Sequence, residues 1–164
     1  MADHVERVLG QWAAERPALD VSPMAVIGRV KRLHRFAEAA TRRTFAAHGL
    51  DHASFDVLAT LLRGGAPYRL TPAALMRDAM VTSGAITQRL DRLEERGLVS
   101  RAPSPEDGRG VLVSLTEAGR ALVDETLPDH LATEEGLLAG LDPAGRAALA
   151  EALGHLLDSL ENRH

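Results

Sequence analysis

Residues 71–116 read TPAALMRDAMVTSGAITQRLDRLEERGLVSRAPSPEDGRGVLVSLT, and their pattern is helix, turn, helix, hairpin. Thr71-Pro72 opens a short helix. Thr71 is placed to cap it, and Pro72 stands at the first helical position, where its missing N–H costs nothing. Ala74, Leu75 and Ala79 give this helix a small apolar face. Thr82-Ser83-Gly84 restarts the chain: a hydroxyl can cap the next helix, and glycine lets the backbone approach a neighbour. The second helix is expected from about Ser83 to Arg96, with Gly97 as the glycine just past its end.

In that second helix Ile86, Leu90 and Leu93 recur with helical spacing and predict one buried stripe. At 100° per residue, Gly84, Gln88, Asp91, Arg92 and Glu95 point the other way. Gln and Arg on the outer face of a helix can reach base edges in a DNA major groove. Arg89 falls on the flank between the two faces, where it can turn inward to the protein or outward to DNA.

Beyond Gly97, residues 98–101 read as a short strand. Pro103, Pro105, Asp107, Gly108 and Gly110 make a long turn, and Val111–Leu115 returns with Val111, Val113 and Leu115 alternating. Arg109 sits at the hairpin tip between two glycines. A basic tip beside a groove-reading helix forms a wing, and arginine fits the enhanced negative potential of a narrow minor groove.

These residues resemble the MarR family of winged helix-turn-helix regulators. The likeness is carried by Leu70-Thr71, Ser83-Gly84-Ala85, Thr87, Arg89-Leu90, Arg92-Leu93-Glu94, Gly97-Leu98-Val99, Arg101, Asp107, Arg109, Val113, Leu115-Thr116 and Gly119. The Asp-x-Arg of the wing followed by Val-x-Leu-Thr is its most specific part. The resemblance implies a double-stranded, pseudo-palindromic operator as partner. It also implies DNA contacts from Thr82, Ser83, Gly84, Thr87, Gln88, Arg92 and Arg109.

Composition bounds the rest. A chain of 164 residues makes one compact domain or one domain with a helical extension. No apolar run approaches the roughly 20 residues of a membrane span, and MADHVERVLG lacks the character of a signal peptide. The expectation is a cytoplasmic protein. There are no cysteines, which excludes disulfides, thiolate metal sites and cysteine-based redox sensing. A net charge of −4 is unusual for a DNA binder. Residues 117–164, however, hold ten acids against three bases, whereas residues 1–116 hold thirteen acids against sixteen bases. The acidity therefore lies away from the proposed DNA face.

Taken in order, His4–Glu15 reads as a helix with Val5, Val8, Leu9 and Trp12 on one side, and core packing is the ordinary reading of Trp12. Ser22-Pro23 opens a long helix to about His48, closed by Gly49. Its stripe of Met24, Ile27, Val30, Leu33, Phe36, Ala37, Ala40 and Phe45 predicts burial. Arg29, Lys31, Arg32, Arg35, Arg42 and Arg43 suit a solvated face, DNA phosphates or a dimer mate. Asp51 caps a helix over His52–Arg63 that turns Phe55, Leu58, Ala59 and Leu62 to the core. Asp56 and Thr60 lie beside that stripe, where a carboxylate is ordinarily solvated. Thr116 caps the helix after the wing, Pro128 is placed to bend or restart it, and Asp142-Pro143 opens the last helix. Leu149, Leu153, Leu156, Leu157 and Leu160 stripe that helix too heavily for it to stand alone in water.

The fold class expected is mainly α with a small β-hairpin wing: a winged helix-turn-helix with a helical dimerisation region. Residues 1–18 form an extra N-terminal helix, 19–50 and 117–164 the dimerisation region, and 51–116 the winged helix-turn-helix. A homodimer would present two reading helices about one DNA turn apart. No nucleophile elbow, phosphate-binding glycine loop or HExxH is present, and the seven histidines are scattered, so neither an enzyme nor a metal cofactor is expected.

The resemblance tightens to the urate-responsive subgroup of the family. Its extra N-terminal helix with a Trp is matched by Trp12, its Phe-Asp-Val-Leu segment by residues 55–58 with Asp56, its recognition-helix Arg by Arg89, and its wing-strand Arg by Arg101. Residues 127–133 also look like subgroup members, whereas an acidic residue of some members falls at Ala74. The resemblance implies a repressor released by urate or a related anionic purine. An indole can stack on such a flat anion and Arg can bind it by charge-assisted bonds. It also implies that Asp56 pairs with Arg89 and that the anion's charge disturbs the pair. Two alternatives stay open: a regulator of a different small aromatic ligand, and a family-fold protein acting through protein contacts without DNA.

Overall fold

The computed structural model describes residues 3–79, 86–104 and 110–163. Among them the order is α1 (His4–Glu15), α2 (Ser22–Ala47), α3 (His52–Arg63), β1 (Arg69–Leu70), α4 (Pro72–Asp78), α5 (Ile86–Glu95), β2 (Val99–Pro103), β3 (Val111–Leu115), α6 (Glu117–Leu137) and α7 (Pro143–Glu161). This is the mainly helical class with a small antiparallel sheet that the pattern predicts. The expected caps form: the side chains of Asp51, Thr71, Thr116 and Asp142 each accept the backbone N–H three residues on.

The chain divides into two compact units, residues 1–43 and 44–164. In the first, α1 and most of α2 meet where Val5 is buried against Gly28. A Cβ on Gly28 would come within 3.1 Å of Val5 Cγ1, so the small residue sets this approach. Asp3 caps α1 and also accepts from Arg29 Nε at 2.8 Å, tying α1 to α2. The stripe of α2 does not behave as its spacing predicts. Met24, Ile27, Val30, Leu33 and Phe36 are all exposed on the single chain. Helical periodicity reveals that a face is apolar, not what covers it.

The second unit holds the large core. Phe45 stacks on Phe55, with ring centroids 4.6 Å apart. Around them pack Val57, Leu58 and Leu61 of α3, Leu75 of α4, Leu90 and Leu93 of α5, Val99 and Val113 of the sheet, and Val123 of α6. Each such side chain contributes about 1.5–3 kcal/mol through burial. The sheet order is β1-β3-β2, all antiparallel, with Leu70 opposite Val113 on one side and Arg101 opposite Val113 on the other. Pro103 ends β2 on an edge strand, where no ladder donor is required of it.

Pro128 does not break the helix after the wing; α6 runs through it. Proline forfeits one helical hydrogen bond, and contacts on both sides keep the segment helical. Before it, Val123 and Thr126 are buried. After it, Asp129 pairs with His48 Nε2 at 2.9 Å, and the Thr133 hydroxyl meets that of Thr44 at 2.6 Å. In α7 no residue is buried, and Leu156, Leu157 and Leu160 are exposed.

Candidate nucleic-acid interface

Helix α5 is anchored on one side and open on the other. Ile86, Leu90 and Leu93 are buried in the core of the second unit, while Thr87, Gln88 and Arg92 are exposed. The separation follows from the 3.6-residue period and leaves a polar face with hydrogen-bonding side chains on a rigid support. Four of the expected DNA contacts, Thr82, Ser83, Gly84 and Arg109, lie outside the described residues.

The wing is fastened to α5 through Arg101 on β2. Its backbone N–H donates to Glu94 Oε1 at 2.9 Å, and its Nε donates to Glu94 Oε2 at 2.8 Å. Its Nη2 reaches Asp91 Oδ1 at 2.6 Å. Those bonds from Arg101 hold the Glu94 carboxyl below its usual range, against a smaller opposing effect of burial. In return Glu94 first, then Asp91, raise the arginine further above its already high value. Asp91, expected on the open face, is therefore drawn toward the wing.

Arg89 is mostly buried and turns inward, its Nε 3.9 Å from Asp51 Oδ1. The expected partner, Asp56, is itself buried at 7% exposure, not solvated. The structure places Asp56 Oδ1 3.9 Å from Arg63 Nη1 instead. Arg63 lies seven residues, two helical turns, further along α3, and its Nη2 also donates to Thr60 Oγ1 and to the carbonyl of Asp78. It is thus fixed beside Asp56 by its own helix and the end of α4. Arg89 reaches the N-terminus of α3, where Asp51 is already held as the cap. Among the described residues, Asp56, Arg89 and Arg101 thus face different charged partners. Trp12 belongs to the first unit and is 41% exposed, not packed in a core.

Sequence reasoning missed Arg96, whose Nη1 donates to the carbonyl of Gly49 at 2.9 Å. No local signal announces a side chain reaching a backbone 47 residues away. It also read Asp51 only as a cap, when the carboxylate faces Arg89 as well. Among the described residues no cluster of histidines and carboxylates could hold a metal, and no helix is long and apolar enough to cross a membrane.

Comparison with known proteins decides the family. The MarR family model matches residues 48–110. The transcriptional regulator PecS of Dickeya dadantii is 36% identical over 158 residues, which cover 96% of this chain and 95% of PecS. The chain belongs to the MarR family. Its members are winged-helix transcriptional regulators, so the chain is a DNA-binding regulator and not an enzyme. Two solved structures resemble it in both sequence and fold. One is BpsR of Bordetella bronchiseptica, whose DNA binding is regulated by 6-hydroxynicotinic acid. It is 28% identical, with a TM-score of 0.73 over 81% of this chain and 93% of BpsR. The other is a serine-for-cysteine mutant of Escherichia coli MarR complexed with operator DNA. It is 27% identical, with a TM-score of 0.73 over 85% of this chain and 99% of that one.

Proposed function

We propose that this MarR-family chain is a dimeric repressor that reads a pseudo-palindromic operator with α5 and lets go of it when urate or a related anionic purine binds. The observation that carries the DNA-reading half is the open face of α5, where Thr87, Gln88 and Arg92 stand exposed on a helix whose other side is locked into the core. A side chain reads bases reproducibly only from a support that does not move. Thr82, Ser83 and Gly84 complete the proposed contact set at the start of the reading segment, and Arg109 does so at the wing tip.

Dimerisation through residues 19–50 and 117–164 is supported by the apolar residues left exposed on α2 and α7. Large apolar residues left exposed along a helix face mark an interaction face. The effector half is supported by residue types at Trp12, Asp56, Arg89 and Arg101, and by BpsR, a relative regulated by a small aromatic acid. Arg101 is engaged by two carboxylates here, so an anion competes with them for the guanidinium.

The test begins with a duplex selected from a random pool by the parent protein. Gln88→Ala and Arg92→Ala should each cost about 1–3 kcal/mol at one base pair and relax the preference there. Sedimentation should give a dimer at micromolar concentration. Selection that recovers no preferred sequence would remove the DNA-reading function, and a monomer would remove the dimer.

A further inference from the structure

Two arginines never reach the open face of α5: Arg89 within it, and Arg96 in the turn just past its end. Both meet the short turn that joins α2 to α3. Arg96 Nη1 donates to the Gly49 carbonyl at 2.9 Å, and Arg89 Nε lies 3.9 Å from the Asp51 carboxylate. The turn they grip is firmly held. Gly49 adopts φ 65°, Leu50 is buried, and its N–H donates to the carbonyl of Phe45 at 2.9 Å. Asp51 is fixed as well, because Ser54 N–H donates to it at 2.6 Å.

We propose that the Gly49–Asp51 turn is a latch that sets the angle of α5, with Asp51 as a positioning residue for DNA reading. The role rests on the proposed reading of DNA by α5. The core contacts of Ile86, Leu90 and Leu93 and the Arg101 bonds to Glu94 and Asp91 keep α5 attached on two sides. Two cationic contacts, one on α5 and one just past its end, fix its tilt against the turn before α3. They sit at solvent-accessible edges, with Asp51 60% exposed, so their loss is felt as a change of tilt and not as unfolding. Arg89 and Arg96 act on DNA through the helix they orient, not by touching it.

The cap and the charge of Asp51 can be separated by substitution. Asn caps a helix as well as Asp but carries no charge, whereas Glu keeps the charge and caps poorly. Against the duplex selected by the parent, Asp51→Asn should bind about two- to fivefold more weakly, the scale of one partly exposed ion pair, with its melting temperature little changed. Asp51→Glu should melt lower yet stay closer to the parent in affinity. Arg89→Gln added to Asp51→Asn should weaken binding no further, because the pair is already broken. Asp51→Asn binding like the parent would overturn the latch, as would affinity that tracks melting temperature across both variants. A parent that selects no duplex at all overturns the DNA reading itself, a result distinct from either.

Discussion

Glu94 of α5 holds Arg101 of β2 twice over, by the backbone N–H at 2.9 Å and by Nε at 2.8 Å, so the reading helix and the wing share one carboxylate. Arg101→Ala should therefore weaken operator binding as well as purine binding, because the wing loses its tie to α5. Lysine offers a point charge without the planar fork, so Arg101→Lys should recover little of either. Anisotropy titrations with labelled duplex check this. Arg101→Lys matching the parent would show that charge alone suffices.

Among the described glycines, Gly119 sits tightest against its neighbours. A Cβ there would overlap the carbonyl of Leu98 and lie 2.8 Å from Leu115 Cδ1. Backbone cannot yield as a flexible side chain does. Gly119→Ala should destabilise the chain by about 2–3 kcal/mol, the scale of overpacking in a tight site. Urea unfolding measures it, and a midpoint equal to the parent's would mean that the two segments are free to separate.

Asp51 carries a pH signature. Burial raises its pKa, but the bonds from Ser54 and the positive charges of Arg89 and Arg92 outweigh that and hold it below the ordinary aspartate value of 3.8. A carboxylate depressed in the folded state contributes stability above its unfolded pKa and loses it as pH falls through the folded one. The stability difference between the parent and Asp51→Asn should thus stay constant from neutral pH down to the ordinary aspartate range, then change as pH falls below it. A difference that varies between pH 6 and 8 instead would point to another group.

The fold was largely legible because its signals are local. Caps at Asp51, Thr71, Thr116 and Asp142, the glycine after α5 and the stripe of Ile86, Leu90 and Leu93 each need only a few neighbouring residues. Strand β1 was not legible. Two residues, Arg69 and Leu70, become a strand only because β3 lies beside them some 40 residues later. The α2 face was legible only in part, since its pattern is that of a buried helix and the single chain does not cover it. At the site, residue types and helical faces could be read, but ion-pair partners could not. Arg89 had two aspartates within plausible reach, Asp51 capping α3 and Asp56 inside it, and Arg63, held by Thr60 and Asp78, lies beside Asp56.

Trp12 is the only tryptophan in the chain and is partly exposed, so its emission reports one place. Urate added to the free protein should quench it saturably, and Arg101→Ala should abolish the saturable part. Quenching that is linear in urate and identical in both proteins would be collisional, and would remove Trp12 from the effector set.

The most direct test joins the two halves of the account. Labelled duplex selected by the parent is bound by the protein at a fixed salt concentration, since affinity without it has no meaning, and urate is titrated into the complex. A ligand releases DNA only if it binds the non-DNA conformation better, so anisotropy should fall to that of free duplex over the urate range that quenches Trp12. Anisotropy that stays at the bound value while Trp12 quenching saturates would contradict the account.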